Sequence, residues 1–358
     1  MSRIYLDHAA TTPLRPAARE AMERGFETWA NPSSPHAEGR AARAALEDAR
    51  ARVTAALGWD GEVIFTSGAS EALAIGLGRA KVERRIASAA EHDAVFRTAP
   101  DAAVVPLAPG EDRSAQIDLE ALEKLLARPG RAVVAVQSIN SETGTVLLRH
   151  EGSPAVAMTR EAGGLFLADC SQSAGKLPLP DADMIVVSAH KLGGPIGIGA
   201  LLVRDYAMLE PIGGHERGYR QGTENLPGAL GFAAALEAGA IGDWPTTYPE
   251  RYDFKDLLRH DGEVLCPGPQ CSHIIAVAHE RLSAAAALIR LDAMGFAVSA
   301  GSACSSGTLR RSRALEAFGI DEDLAKRTVR VSVGWNTTCS ELEKFADAWH
   351  ALAAERSA

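Results

Sequence analysis

A lysine between two apolar segments is the most prominent candidate for chemistry in this chain. Lys191 lies within residues 188–195 (Ser-Ala-His-Lys-Leu-Gly-Gly-Pro), after the apolar run 183–188 and before the apolar run 198–203. Burying an unpaired ammonium costs free energy, and a Schiff base with a carbonyl cofactor such as pyridoxal phosphate removes that charge. The pattern therefore indicates a cofactor lysine, although a surface lysine in a Gly-Pro turn also fits this segment when it is taken alone.

An acidic residue ends a second apolar segment. Residues 165–169 predict a short strand that ends at Asp169, and ligands bind at the carboxyl ends of strands in open α/β sheets. Asp169 could keep the pyridine nitrogen of the cofactor protonated, and Gln172 could reach the ring hydroxyl. Taken alone, Asp169 is better interpreted as a helix N-cap or a turn residue.

A glycine turn between a predicted strand and a predicted helix offers a phosphate site. The apolar run 63–66 is followed by Ser-Gly-Ala-Ser-Glu at residues 67–71 and then by an Ala/Leu-rich helical stretch. Free backbone N–H groups and the helix dipole make such a helix start favourable for an anion, and Ser70 adds a hydroxyl. An ordinary N-cap with Glu71 in the first turn is an equally good interpretation.

Two further segments carry side chains that could react. The predicted strand 86–90 leads to His92, which could stack on a flat cofactor ring and move protons. Cys304 lies in the Gly/Ser-rich segment 299–307, which predicts an exposed, mobile loop. Exposure is what a nucleophilic or sulfur-carrying thiolate requires, and an incidental surface thiol is the alternative.

The elements that must position these residues follow an alternating pattern. Helical spacing predicts helices over residues 16–29, 36–57 and 118–126, the last with Asp118 as its N-cap. Apolar runs predict strands over residues 63–66, 86–90, 104–107, 132–137, 165–169, 184–188 and 200–203. Such alternation predicts a mostly parallel sheet that is covered by helices on both faces.

Composition narrows the class of protein. A chain of 358 residues can bury a large core and divide into two domains. The net charge is −9 and the basic residues are scattered, so we expect no nucleic-acid partner. We expect no membrane span, and the start of the chain does not resemble a signal peptide, which favours a cytoplasmic location. Five cysteines without Cys-x-x-Cys spacing predict free thiols and no metal site.

In their order along the chain, these motifs resemble the cysteine desulfurases of the NifS/IscS type, in the class V aminotransferase family with fold type I. The resemblance runs from residues 5–13 (Tyr-Leu-Asp-His-Ala-Ala-Thr-Thr-Pro) to residues 330–334 (Arg-Val-Ser-Val-Gly). It includes the segments 31–34, 65–71, 91–92, 142–144, 169–172, 188–191, 215–218, 221–225 and 299–307. It implies an α/β fold with a large pyridoxal phosphate domain over residues 14–242. Residues 1–13 and 243–358 would form a reduced, smaller α+β domain.

The resemblance also implies a role for each motif residue. Lys191 would form the Schiff base with pyridoxal phosphate, His92 would stack on its ring, and Asp169 would pair with its nitrogen. The remaining cofactor contacts would come from Ala69, Ser70, Ser141, Gln172, Ser188 and His190. Thr223 would bind the phosphate held by a neighbouring subunit, which implies a homodimer. Arg330 would clamp the substrate carboxylate, a task that suits a guanidinium, and Asn31 would also contact the substrate.

The implied reaction converts L-cysteine to L-alanine. The sulfur would remain on Cys304 as a persulfide and pass to an acceptor protein or a small thiol. Selenocysteine lyase, cysteine sulfinate desulfinase and a plain class V aminotransferase are the alternatives, because they need Lys191 and Arg330 but not necessarily Cys304. A non-catalytic scaffold of the same fold is a further alternative.

Four features depart from the family pattern. Ser141 stands where a second asparagine is usual, which would lose its direct contact with the phenolic oxygen of the cofactor or replace it by a water bridge. Cys170 stands where a small apolar residue is usual. In the small domain, the segment 244–249 and a brief helix over 255–259 are predicted to replace a long helix. The chain ends soon after Trp349, so we expect no extension for docking an iron–sulfur scaffold and a non-standard sulfur acceptor.

Overall fold

A computed structural model describes residues 3–109, 115–301 and 312–354 of the chain. The strands are β1 (Ile4–Tyr5), β2 (Glu62–Thr66), β3 (Arg84–Ser88), β4 (Ala103–Val105), β5 (Leu107–Pro109), β6 (Ala115–Ile117), β7 (Ala132–Gln137), β8 (Leu165–Asp169), β9 (Met184–Ser188), β10 (Gly199–Val203), β11 (Gly262–Val264), β12 (Ile274–His279), β13 (Phe296–Ala297), β14 (Ser299–Ala300) and β15 (Thr328–Ser332). The helices are α1 (Pro16–Thr28), α2 (Ala37–Leu57), α3 (Ala69–Gly78), α4 (Asp93–Thr98), α5 (Leu119–Leu126), α6 (Pro154–Glu161), α7 (Leu226–Glu237), α8 (Tyr248–Arg259), α9 (Ala284–Ala293), α10 (Arg313–Ala317), α11 (Glu322–Arg327) and α12 (Cys339–Ala354). Short 3-10 helices lie at Ala189–Lys191, Tyr206–Met208, Glu216–Gly218 and Ile241–Asp243.

The large sheet has the strand order β2-β10-β9-β8-β7-β3-β4 within the described residues. Strand β10 runs antiparallel to both of its neighbours, and the other adjacent pairs are parallel. The predicted strands 132–137, 165–169 and 184–188 are confirmed to the residue as β7, β8 and β9. Since β7, β8 and β9 are parallel neighbours, their carboxyl ends meet at one edge of the sheet.

Helices cover both faces of this sheet, as the alternating pattern predicts. Successive residues of a strand point to opposite faces, so Val63 and Phe65 of β2 pack into one apolar cluster and Ile64 packs into another. The first cluster includes residues of α1, α2 and α7, and the second includes residues of α3 and α4. The expected α/β class with a mostly parallel, covered sheet is therefore confirmed.

A second sheet lies in the C-terminal third of the chain. Its strands follow the order β11-β12-β15-β14 and are antiparallel, and a separate apolar cluster joins them to α8, α9 and α12. The N-terminal strand β1 pairs with β13, and Leu6 packs in the same cluster. The division at residues 13/14 and 242/243 remains a prediction.

The prediction of a brief helix over residues 255–259 is wrong. Helix α8 begins at Tyr248 and continues through Arg259. Thr247 caps it, because its backbone N–H donates to the Glu250 carboxylate at 2.6 Å and its hydroxyl accepts from the Glu250 N–H at 3.4 Å. Pro249 lies in the first turn, where a missing N–H breaks no intrahelical bond. Pro249 therefore lies at the start of a twelve-residue helix and does not prevent it from forming.

Candidate active site

A cavity of about 380 Å³ lies at the carboxyl edge of the large sheet. The end of β8 places Asp169 there, and the end of β9 places Ser188 there. The turn before α3 closes another side. The cavity lining includes Ala69, Ser70, His92, Ser141, Asp169, Gln172, Ser188, His190 and Lys191. The structure thus brings together the residues expected to contact the cofactor of their own chain.

The N-terminal segment holds the turn that carries Lys191. The backbone N–H of Thr12 donates to the carbonyl of His190 at 2.8 Å, and its hydroxyl lies 3.2 Å from the carbonyl of Lys191. Gly193 has a φ of +95°, and a Cβ atom there would lie 2.6 Å from Cγ of the buried Arg15. Neither Thr12 nor Arg15 was identified from the sequence, although the Thr-Thr-Pro motif at residues 11–13 was the available signal.

Asp169 is oriented by the turn that follows β8. Its Oδ1 accepts from the backbone N–H of Ser171 at 2.9 Å and from the Ser171 hydroxyl at 2.5 Å. The neighbouring Cys170 is buried in the core, and burial raises the pKa of its thiol to about 12. Cys170 is therefore a neutral, small core residue, which explains how it can replace the usual apolar side chain.

The two histidines that line the cavity are both disfavoured as cations. His92 precedes α4, and its Nδ1 accepts from the N–H of Ala94 at 3.1 Å, so a neutral ring carries its proton on Nε2. Burial and then the charge of Lys191 lower the pKa of His92. The same causes, together with the charge of Lys176, lower the pKa of His190 to about 4. A neutral imidazole at His92 suits stacking and proton transfer.

The start of α3 forms a cradle suited to a phosphate. Gly68 precedes the helix with a φ of +147°, and Ala69 and Ser70 lie in the first turn, where backbone N–H groups lack intrahelical partners. Strand β10 passes close to this turn, since a Cβ atom on Gly199 would lie 2.8 Å from Cα of Gly68. Residue 199 must therefore be glycine, because a side chain on β10 at this position would clash with the turn before α3.

The unpartnered polar atoms of the site test whether pyridoxal phosphate fits. The hydroxyl of Ser188 and Oε1 of Gln172 are buried without a hydrogen-bond partner, and both residues line the cavity. A buried polar atom without a partner costs free energy, so a polar ligand in the cavity would stabilise both. The residues present therefore fit the cofactor, with Ser188, Ser70 and the α3 N-terminus on the phosphate side.

Arg330 lies next to the cavity and not in its lining. The guanidinium on β15 is buried, and its Nη1 donates to the carbonyl of Ser141 at 3.0 Å. Its Nη2 donates to Asp7, a residue that sequence analysis gave no role. The adjacent Glu142 accepts from the hydroxyl of Ser312 at 2.5 Å, and burial raises the pKa of Glu142 to about 7.

Two expected site residues lie away from this cavity. Asn31 is exposed and accepts from the N–H of Ser33, and Thr223 is also exposed. Neither residue lines the cavity of its own chain. Cys304 lies outside the described residues.

Two further observations concern the described residues only. No cluster of three or more His, Cys, Asp or Glu side chains in residues 3–109, 115–301 and 312–354 could hold a metal ion. In the same ranges, no helix is both long enough and apolar enough to cross a membrane.

A lysine, an oriented carboxylate, a neutral histidine and a phosphate cradle around one cavity define a pyridoxal phosphate enzyme. Residues 4–345 match the family model described as aminotransferase class-V. A cysteine desulfurase of Gluconacetobacter diazotrophicus is 34% identical, covering 97% of this chain and 92% of its own length. One from Frankia sp. is 37% identical, covering 96% and 90%. The solved structure of a NifS-like protein from Rickettsia africae has a TM-score of 0.83 at 26% identity, covering 98% and 99%.

The chain therefore belongs to the class V aminotransferase family, which confirms the resemblance stated above. It is an enzyme, and pyridoxal phosphate is its cofactor. The roles given to individual site residues remain predictions.

Proposed function

We propose that this enzyme is a cysteine desulfurase that converts L-cysteine to L-alanine and retains the sulfur on Cys304. The observation that carries the proposal is the single cavity in which Lys191, Asp169 and His92 meet. Relatives named cysteine desulfurase, which match nearly the whole chain, support the choice of substrate. When bound, pyridoxal phosphate supplies an electron sink for negative charge that develops on the substrate carbons.

The residues of the chain supply the remaining functions. The amine of Lys191 would hold the cofactor and then move a proton at the substrate α-carbon. Neutral His92 would exchange a proton through Nε2 at near-neutral pH, because burial disfavours its charged form. The Asp169 carboxylate, fixed by Ser171, would hold a proton on the ring nitrogen. Arg330 would orient the substrate carboxylate.

The sulfur step needs a second thiol. The Cys304 thiolate would form an S–S bond with the substrate sulfur while the C–S bond of the substrate breaks. The electron pair of that bond stays with the carbon, which takes up a proton to become the methyl group of alanine. The resulting persulfide would then pass its outer sulfur to the thiolate of an acceptor protein or of a small thiol.

The experiment measures alanine release from L-cysteine and, by mass spectrometry, sulfur on Cys304. Lys191→Ala and Cys304→Ala should each lose at least about a hundredfold in alanine release. Cys266→Ala is the matched control, because Cys266 is an exposed thiol outside the cofactor cavity and should be dispensable. Full alanine release by Cys304→Ala would overturn the persulfide step. A cofactor-loaded enzyme that releases no alanine from cysteine would overturn the function.

We also propose that the enzyme is a homodimer in which Thr223 completes the phosphate site of the neighbouring subunit. The exposure of Thr223, away from the cavity of its own chain, supports this arrangement. Sedimentation analysis should give twice the chain mass. Mixing inactive Lys191→Ala chains with impaired Thr223→Ala chains should restore activity, because one site of each mixed dimer then has both native residues. Failure of the mixture to gain activity, with mixed dimers present, would contradict the proposal.

A cytoplasmic location is a further proposal. Cys170, Cys266, Cys271 and Cys339 are free thiols, and a reducing compartment suits them. Fractionation of the native cells should recover the enzyme with cytoplasmic markers, and recovery with secreted proteins would contradict the proposal.

A further inference from the structure

Arg330 is already paired with a carboxylate of the chain itself. Its Nη2 donates to Oδ1 of Asp7 at 2.8 Å, and its Nη1 donates to the carbonyl of Ser141 at 3.0 Å. The residue is only 2% exposed, yet its Nε is buried without a hydrogen-bond partner. The charge of the guanidinium is thus balanced from within the protein while one of its donors is unsatisfied.

Asp7 is a fixed part of the fold and not a mobile surface partner. Its Oδ2 accepts from the hydroxyl of Ser299 at 2.7 Å, and its backbone carbonyl accepts from the N–H of Ala10 at 3.0 Å and from the hydroxyl of Tyr5 at 3.2 Å. Its side chain is 18% exposed. The backbone contacts fix the segment, and the Ser299 hydroxyl on one oxygen holds the carboxylate so that its other oxygen orients the Arg330 guanidinium.

A purely structural ion pair accounts for part of this arrangement, because a buried arginine needs a partner. It does not account for the unsatisfied Nε. Ser141, which accepts from Nη1, also lines the cofactor cavity, so a carboxylate that enters beside Ser141 comes within reach of Arg330. Such a carboxylate would satisfy Nε and share the guanidinium with Asp7.

We propose that Asp7 competes with the substrate carboxylate for Arg330 and thereby sets how tightly the enzyme holds substrate and product. The inference rests on the proposed function, in which Arg330 binds the carboxylate of L-cysteine. Two negative groups beside one guanidinium weaken each other's binding, so Asp7 limits the affinity for every α-amino acid that enters. L-Alanine carries the same carboxylate as L-cysteine. Asp7 therefore favours release of the product while it keeps Arg330 oriented for the next substrate.

The test separates the charge of Asp7 from its shape. Asp7→Asn keeps an oxygen for Nη2 and removes the negative charge. It should lower KM for L-cysteine and the calorimetric Kd for L-alanine by about three- to tenfold. The inhibition constant of cysteamine, which has the amine and thiol of cysteine but no carboxylate, should not change. Asp7→Ala also loses the hold on the guanidinium, so its KM should lie above that of Asp7→Asn.

A matched control removes the same charge elsewhere. Asp292 pairs with Arg3 at the surface, and Asp292→Asn should leave KM and Kd at the wild-type values. Thermal unfolding of each cofactor-loaded variant checks that it is folded. Asp7→Asn with wild-type or weaker binding of both amino acids would overturn the inference, as would an equal shift for cysteamine. An Asp7→Ala variant with the KM of Asp7→Asn would overturn the orienting role.

Arg330→Ala distinguishes failure of the inference from failure of the proposed function. If Arg330→Ala weakens L-alanine binding and Asp7→Asn has no effect, only the inference fails. If Arg330→Ala binds L-alanine as tightly as the wild type, the role of Arg330 in the proposed function fails, and the inference fails with it.

Discussion

Replacing the buried Glu216 with alanine should destabilise the enzyme more than replacing a surface glutamate with alanine. The Glu216 side chain is 1% exposed and the Arg50 side chain is 8% exposed. Glu216 accepts from Arg50 through both carboxylate oxygens, from Nη1 at 2.7 Å and from Nη2 at 3.1 Å. It also accepts from the backbone N–H of Phe65, in β2, at 2.9 Å. One carboxylate thus joins α2, β2 and the turn that leads to Thr223.

The backbone around Glu216 is strained, which makes this ion pair more important. Glu216 has a φ of 47° and Arg217 a φ of 55°, in the left-handed region that side chains other than glycine rarely adopt. Each such residue costs about 1–2 kcal/mol. The turn keeps this conformation because the buried carboxylate is held on two sides. We therefore expect the turn to relax when the carboxylate is removed.

The size of the effect follows from burial. Removing one partner of a buried ion pair costs about 3–5 kcal/mol, and the lower end applies here because Arg50 keeps a second carboxylate, Glu47, at 3.2 Å. We expect Glu216→Ala to lower the free energy of unfolding by that amount. Glu216→Gln retains acceptors for Arg50 and Phe65 and should cost less. The control is Glu237→Ala, because Glu237 pairs with Arg52 at the surface, where such pairs contribute about 0–1 kcal/mol.

Urea unfolding of the cofactor-loaded enzyme, followed by circular dichroism, measures these differences. Hydrogen exchange at the Phe65 amide adds a local measurement, since that N–H loses its acceptor in Glu216→Ala. Exchange there should accelerate in Glu216→Ala and remain slow in Glu237→Ala. A Glu216→Ala variant that unfolds within about 1 kcal/mol of Glu237→Ala, with unchanged exchange at Phe65, would refute the reasoning.

Two further predictions concern pH. Burial and then the charge of Lys191 lower the pKa of Lys176 to about 7. The unfolded chain then binds more protons than the folded one between about pH 7 and 10.4, so the lysine makes stability rise with pH across that range. Lys176→Met should remove up to about 4 kcal/mol of this rise. The measurement is the unfolding free energy of the wild type and of Lys176→Met at pH 7 and at pH 10. A difference between the two proteins that is the same at both pH values would contradict the expectation. Glu142 has the opposite sign, because its pKa is raised to about 7 and the folded protein binds more protons between about pH 4.3 and 7. As the pH rises from 5 to 8, the unfolding free energy of Glu142→Gln, which keeps an acceptor for Ser312, should therefore increase by about 2–3 kcal/mol relative to that of the wild type. Parallel curves of unfolding free energy against pH would contradict this prediction.

The parts of the fold that were predictable from sequence are those with a local physical signal. Buried parallel strands appear as uninterrupted apolar runs, so β7, β8 and β9 were predicted to the residue. Asp118 marks the start of α5 because its side chain accepts from the N–H of Ala121 at 2.9 Å. The cofactor cavity was predictable for the same reason, since it collects the ends of these strands. The full length of helix α8 was not predictable, because a proline breaks a helix in its interior but is tolerated in its first turn, where Pro249 lies.

Pairs that join distant parts of the chain leave no local signal. Asp7 and Arg330 are 323 positions apart, and Arg50 and Glu216 are 166 positions apart. Each residue alone looks like an ordinary charged residue, and nothing in its neighbours identifies its partner. The tertiary structure alone decides which charges are buried together. Arg330 was therefore identifiable from its motif, whereas the carboxylate that balances its charge was not.

The N-terminal segment shows why these distant pairs matter for function. Asp7 orients Arg330, the expected substrate contact, and Thr12 holds the turn of Lys191, the expected cofactor contact. Leu6 meanwhile joins this segment to the second sheet, because its carbonyl accepts from the N–H of Ser332 at 2.8 Å. One short segment thus contacts the groups that would hold the two ends of an amino-acid substrate. The separation between Lys191 and Arg330 is consequently fixed by this segment as well as by packing between the sheets. A shift of the backbone between Asp7 and Thr12 would therefore displace the Lys191 turn and the Arg330 guanidinium together.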